Sequence, residues 1–387
     1  MLEIASSNSC NGCSACFSIC PVSAIAMQGD DEGFLRPHID ESLCTRCGKC
    51  ERVCPVLNPL TFPSQFPVAF ATCNMNEAIR LQSSSGGVFS ALAEDCIQAG
   101  GVVFGAGFSD DFQINHMCVD NIDDLYKLRG SKYVQSSIGQ TYKECKQFLI
   151  SGRKVLFSGT PCQIGGLKAF LGKEYDTLLC VDIICHGVPS PLLWSVYKQY
   201  QEVKNNSRIM RTSFRDKICG WKKYSVLVSF DTNTEYCEIF EKDPFMQLFL
   251  KDVCLRPSCY ECVFKSSHRI SDITLADFWG IQIILPELDD DTGLNLVLVH
   301  SAKGVEVFNK LASIQSRMVN LQQALQYNPA AFKSAKKPNK RVSFYADLRS
   351  KPFLEVYNSY TYVSKIQKCM FFTTRVLQKI KRILMRK

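Results

Sequence analysis

Hydrophobic and polar positions change their period twice along this 387-residue chain. From residue 68 onward, short apolar runs alternate with stretches at helical spacing. Residues 68–73 read as a strand, 88–99 as a helix stopped by Gly100 and Gly101, and 102–108 as an apolar, β-rich strand. The unit repeats as a strand at 155–158, a helix at 163–171, a strand at 178–185 and a helix at 191–200. Alternation of this kind predicts α/β layers. From Arg208 the period shortens toward two, as in Tyr224, Val226, Val228 and Phe230, which predicts an antiparallel sheet joined to that core. Residues 243–253 read as a helix with Pro244 in its first turn, and 273–280 as a strand turning at Gly280.

Ahead of this pattern the chain carries one cysteine run twice. Cys10, Cys13, Cys16, Cys20 and Pro21 are repeated at the same spacing by Cys44, Cys47, Cys50, Cys54 and Pro55. Zinc sites close with two C-x2-C pairs or with histidines. A third Cys three residues on, a fourth after four more and then Pro is the run that holds two 4Fe-4S clusters in a small ferredoxin domain. In that arrangement each run gives its fourth thiolate to the other cluster, so the sets are Cys10, Cys13, Cys16, Cys54 and Cys20, Cys44, Cys47, Cys50. Pro59, Pro63 and Pro67 then mark a stiff linker. The domains expected are 1–58, the linker 59–67, a larger body at 68–320 divided near 150, and a basic tail at 328–387. The fold class is mixed, α+β and α/β, with a basic C-terminal helix.

A hydrophobic content of 46% supports a real core. Twenty-one cysteines without the opening of a signal peptide predict a reducing, cytoplasmic setting. No apolar run approaches the ~18–20 residues that span a bilayer. The net charge of +8 is concentrated at one end: residues 328–387 hold fifteen Lys and Arg against Asp347 and Glu355, which leaves the rest of the chain at −5. That distribution argues against a nucleic-acid partner and for attachment through the tail. Within it Ile366, Met370, Phe371, Leu377, Ile380, Ile383 and Leu384 recur near helical spacing among cations. The segment reads either as an interfacial helix on the anionic inner face of a membrane or as a helix docked on protein.

Several loops in the body carry candidate chemistry. Ser83, Ser84, Ser85, Gly86 and Gly87 precede a helix at Val88 and read either as an anion-binding turn or as an ordinary helix start. Arg129 to Ser136, with Lys132, Tyr133 and Gln135, could hold a phosphate beside a ring or could be a solvated turn. Cys162 and Cys185 follow strands, and Cys259 and Cys262 have ligand spacing. These four either form a further 4Fe-4S site or pack as plain buried thiols, as Cys73, Cys96 and Cys145 are expected to. His186 is read as structural, no histidines stand at i, i+4, and no catalytic residue is assigned.

Five segments together are similar to the family of coenzyme F420 hydrogenase/dehydrogenase beta subunits over roughly residues 66–320. They are Ser84 to Ser90, Leu128 to Ser136, Phe157 to Gln163, Cys185 to Ser190 and Asp272 to Gly280. The resemblance implies an FAD-dependent iron-sulfur oxidoreductase, with Ser84, Ser85, Gly86, Gly87, Val88, Lys132, Tyr133 and Gln135 at the flavin. It also implies a third 4Fe-4S cluster on Cys162, Cys185, Cys259 and Cys262. The substrate implied is organic, or deazaflavin (coenzyme F420), and electrons come from a redox partner protein or a small-molecule donor. The alternative is an electron-transfer subunit of a larger hydrogenase or dehydrogenase complex without a substrate of its own. The fused ferredoxin and the Arg256 to Cys262 segment resemble most the bacterial members associated with surface polysaccharides, which implies a substrate other than F420.

Overall fold

The structure is a computed structural model, and it describes residues 4–361. Eight strands form one mixed sheet. In order across it they are Ile314–Val319, Val68–Asn74, Asn295–Val299, Ile273–Asp277, Leu178–Ile183, Val155–Ser158, Val102–Phe108 and Ile114–Val119. The inner strands Val102–Phe108, Val155–Ser158, Leu178–Ile183 and Ile273–Asp277 are mutually parallel, and the outer ones pair antiparallel. Parallel strands are covered on both faces, so they read as unbroken apolar runs. Val155–Phe157 and Leu178–Val181 are accordingly buried.

The expected α/β alternation is present with small shifts of boundary. The second crossover helix, Pro161–Leu171, begins two residues earlier than its apolar spacing suggested. Thr160 caps it in a reciprocal box with Gln163, and Pro161 starts its first turn. The antiparallel region departs from expectation. Ile209–Asp216, Ser225–Phe230 and Glu235–Ile239 make a separate three-stranded sheet rather than extending the large one. A period of two reports one buried face and is silent about which sheet supplies the cover.

The cysteine-rich domain adds a hairpin, Ile25–Gly29 with Leu35–Ile39, and packs tightly on the body. Phe34 lies in the cluster of Trp194, Tyr197, Phe214 and Phe245. Cys13, Cys16 and Ile25 share a core with Tyr142, Leu167 and Phe170. The stretch expected to begin a basic tail at 328 is folded against the body as far as it is described. Helices Arg341–Ser350 and Phe353–Thr361 bury Phe344, Tyr345, Leu348, Phe353 and Val356. The amphipathic segment expected from Lys365 lies outside the described residues. Among the described residues no helix is long and apolar enough to cross a membrane.

Candidate iron-sulfur centres

The two cysteine runs repeat backbone shape as well as spacing. Gly12 and Arg46 stand at matching places with φ of 65° and 53°, and so do Ser14 and Gly48 with φ of 63° and 68°. Left-handed residues between thiols turn successive amide N–H groups inward, the concave nest that iron-sulfur sites use. Each run then enters a short helix, Ala15–Ile19 or Lys49–Arg52.

Cys10, Cys13, Cys16 and Cys54 line one cavity, together with Asn11, Gly12 and Pro37. The fourth thiol comes from the second run, as the spacing rule predicts. Burial pushes the Cys13 thiol up and Cys16 up to about 12, so these thiols stay protonated unless a cationic centre takes the thiolates. Cys20, Cys44 and Cys50 are half-buried and Cys47 is exposed, which puts the other set at the surface.

Cys162, Cys185, Cys259 and Cys262 line a second cavity. Cys162 stands at the start of helix Pro161–Leu171 and Cys185 follows strand Leu178–Ile183, so both come from carboxyl ends of neighbouring parallel strands. Cys259 arrives on the 3-10 turn Pro257–Glu261, with Arg256 N–H donating to Val188 O at 3.0 Å. Burial pushes Cys162 and Cys259 up and Cys185 up to about 11. Three cations border this cavity: Arg256, Lys265 and Arg269. Lys265 donates to Cys185 O and to Ala330 O, and Arg269 to Phe264 O and Ala331 O. None of the three forms a direct ion pair with a carboxylate among the described residues, although Arg269 lies near enough to buried Asp182 to favour its ionised form. Cations bordering thiols without direct carboxylate pairs fit an anionic tetrathiolate group. Among the described residues no three His, Cys, Asp or Glu draw together as around a single ion. A cubane holds its thiolates farther apart, around a space.

Both cavities share Asn11, whose Nδ2 is buried without a hydrogen-bond partner. The helix that carries Cys162 also touches Cys13, since a Cβ on Gly166 would lie 3.0 Å from Cys13 Sγ. His186 lines the second cavity and meets Asp252 Oδ1 at 2.5 Å.

The loops that the resemblance assigns to FAD do meet, because Ser131 N–H donates to Ser84 Oγ at 2.7 Å. Their donors, however, are turned into the protein. Ser85 Oγ donates to Leu294 O, Val88 N–H to Asn295 Oδ1, and Lys132 Nζ to Lys127 O and Arg129 O. A Cβ on Gly86 would stand 2.6 Å from Thr72 O, and one on Gly87 3.1 Å from Asn74 Cβ, so these glycines admit strands rather than a phosphate. Tyr133 Oη accepts from Arg215, and Gln135 Oε1 accepts from Leu35 N–H and Arg256. A phosphate-holding role for Gly86, Gly87, Val88 and Lys132 does not fit these bonds.

Sequence reasoning missed the groups around Ser84. Arg215 is buried, forks onto Asp277 and donates to Ser84 O. It lies 4.0 Å from the Tyr224 ring centroid, while Trp221 stacks on Trp279 at 5.1 Å. It also missed His116, which donates from Nε2 to Ser158 O and accepts at Nδ1 from Ser136 Oγ. Burial presses His116 down to about 4. Ser136 and Asp277 lie inside segments that carry the family resemblance; His116 and Arg215 have no local signal.

Residues 152–323 match the family model for the C terminus of the coenzyme F420 hydrogenase/dehydrogenase beta subunit, and residues 9–58 match a 4Fe-4S dicluster domain. The chain joins these two domains. It is 29% identical over 192 residues to the coenzyme F420-dependent sulfite reductase of Methanocaldococcus jannaschii, covering 49% of this chain and 30% of that protein. It is 24% identical over 208 residues to the F subunit of the F(420)H(2) dehydrogenase of Methanosarcina mazei, covering 48% and 57%. The matched stretch thus spans less than two thirds of either relative. A chain of the F420-reducing [NiFe] hydrogenase complex from Methanosarcina barkeri aligns with a TM-score of 0.47 at 16% identity, over 70% of this chain and 93% of that one.

Proposed function

We propose that this protein is an iron-sulfur oxidoreductase that relays electrons inward from its exposed thiol set, through the buried N-terminal set, to a third set in the body. The observation that carries this reading is the wall shared by the two buried cavities at Asn11. When bound, 4Fe-4S groups supply one-electron transfer. The chain's own residues set the layout. Cys47 presents one end to a redox partner protein, Gly166 lets the Cys162 helix close on Cys13, and Arg256, Lys265 and Arg269 offset negative charge on the far cavity. The substrate at that end is a two-electron organic carrier; kinship by sequence with proteins named for F420 supports that class.

Anaerobically prepared full-length protein should carry about twelve iron atoms, the content of three cubanes. Cys47→Ser, Cys13→Ser and Cys162→Ser should each remove about four. Stoichiometric zinc without cluster absorption would overturn the assignment, and iron unaffected by Cys162→Ser would remove the third site. Flavin content of the same preparation decides FAD dependence. Reoxidation of the reduced chain by F420 without a partner separates an enzyme from a pure relay subunit.

A further inference from the structure

Arg256 is 1% exposed and touches one thiol set while bordering the other. Its Nε donates to Cys10 O at 2.7 Å, and its Nη2 donates to Leu35 O at 3.0 Å and lies 3.6 Å from Cys10 Sγ. Nη1 donates to Gln135 Oε1 at 3.0 Å, and the guanidinium lies 5.4 Å from the centre of the Phe34 ring. The same side chain lines the cavity of Cys162, Cys185, Cys259 and Cys262. Its oxygen partners are neutral, and no carboxylate pairs with it among the described residues. A buried cation of this kind is costly unless something anionic stands beside it. The anionic neighbours available are the two thiol sets.

We propose that Arg256 is a positioning residue that sets potential: a fixed positive charge that holds the reduction potential of the Cys10, Cys13, Cys16, Cys54 group above that of the exposed Cys20, Cys44, Cys47, Cys50 group. The proposal rests on the reading that these sets hold 4Fe-4S groups. Reduction adds negative charge to a group, and a cation in a low-dielectric setting favours the reduced form far more than one facing water does. One electron leaves the exposed group, which is oxidised, and enters the buried one, which is reduced. No bond is made and no proton moves. The charge therefore gives inward flow its downhill step, and Gln135, expected at a flavin, instead orients the guanidinium.

The test is a redox titration followed by electron paramagnetic resonance on the full chain, its Arg256→Gln variant and its Arg256→Lys variant, each with iron content measured. Arg256→Gln should keep its iron and move the oxidised-to-reduced ratio of the buried group about tenfold toward oxidised at a fixed potential, which is a midpoint lower by about 59 mV for one electron. Arg256→Lys should stay within a few-fold of the parent, and the exposed group should not move in either. Iron-replete Arg256→Gln with an unmoved midpoint overturns the proposal. So does loss of iron from both variants, since shape rather than charge would then be what the side chain supplies. A parent chain with only about eight iron atoms removes the third site, yet leaves the buried N-terminal midpoint readable, so the two failures are distinguishable.

Discussion

Gly166 sits mid-helix in Pro161–Leu171, where alanine is ordinarily better than glycine by about 0.8–1 kcal/mol. At this position a Cβ would lie 2.9 Å from Cys13 Cβ, 3.0 Å from Cys13 Sγ and 3.0 Å from Tyr142 Oη. Atoms of this kind settle at about 3.5–4.0 Å, so the methyl group is short of space by roughly half an ångström to one ångström against three atoms at once. None of the three yields easily. Tyr142 is fully buried and donates its hydroxyl to Gln163 O at 2.6 Å. Cys13 follows Gly12, which is wedged against Gln135 and Arg256. Overpacking of a tight core costs about 1–3 kcal/mol, which cancels or exceeds the helical gain and leaves a net loss of up to about 2 kcal/mol. The strain falls where a thiol must hold its place, so Gly166→Ala should lower the urea midpoint and also lower iron occupancy at the Cys13 set. Gly166→Val should lower both further. An alanine variant stabilised by the full helical increment, with its iron intact, would refute the reasoning.

Two further outcomes follow from buried groups. His116 holds a proton only below about pH 4 in the fold against 6.5 ordinarily, so the unfolded chain protonates first as pH falls; this group takes away about 3 kcal/mol between pH 6.5 and 4, against the opposite contributions of Asp182 and Asp243, whose carboxyls burial pushes up to about 6, and His116→Gln should make the variant more stable relative to the parent at pH 4 than at pH 6.5. An acid slope identical in both proteins would exclude His116 as a contributor. Arg341 forks onto Glu32 and also holds Leu255 O, clamping the cysteine-rich domain to the end of the described chain. A double-mutant cycle of Glu32→Gln and Arg341→Met should show coupling of about 1–3 kcal/mol in urea unfolding, and simple additivity would count against the clamp.

What the sequence disclosed and what it hid divide along a physical line. Thiol spacing is local chemistry, so the placing of Cys54 beside Cys10, Cys13 and Cys16 could be written down before any fold. Apolar spacing gave the parallel strands Val102–Phe108 and Val155–Ser158 to the residue and overran the ends of Leu178–Ile183 and Ile273–Asp277, because strands covered on both faces read as unbroken apolar runs whose ends the pattern does not mark. The third set was legible only as four thiols at strand ends and in one ligand-spaced pair; bringing them to a single cavity takes the sheet order. Arg256 and Cys10 are 246 positions apart, and nothing near either announces the other. Gly86 looked like a residue making room for a phosphate and proves to be one making room for Thr72 O. A glycine reports that something comes close, without saying what.

The matched backbone of the two cysteine runs has a consequence for how interchangeable they are. At Gly12 any side chain would start 2.4 Å from Gln135 Nε2, whereas the equivalent Arg46 is exposed and bears a left-handed conformation at a cost of about 1–2 kcal/mol. Exchanging the two loops would conserve every thiol, every spacing and both prolines, and would still place an arginine where no side chain fits. The two runs share one spacing, yet one is a socket fitted to the rest of the chain and the other a terminal left open to water. The inward and outward ends cannot be swapped.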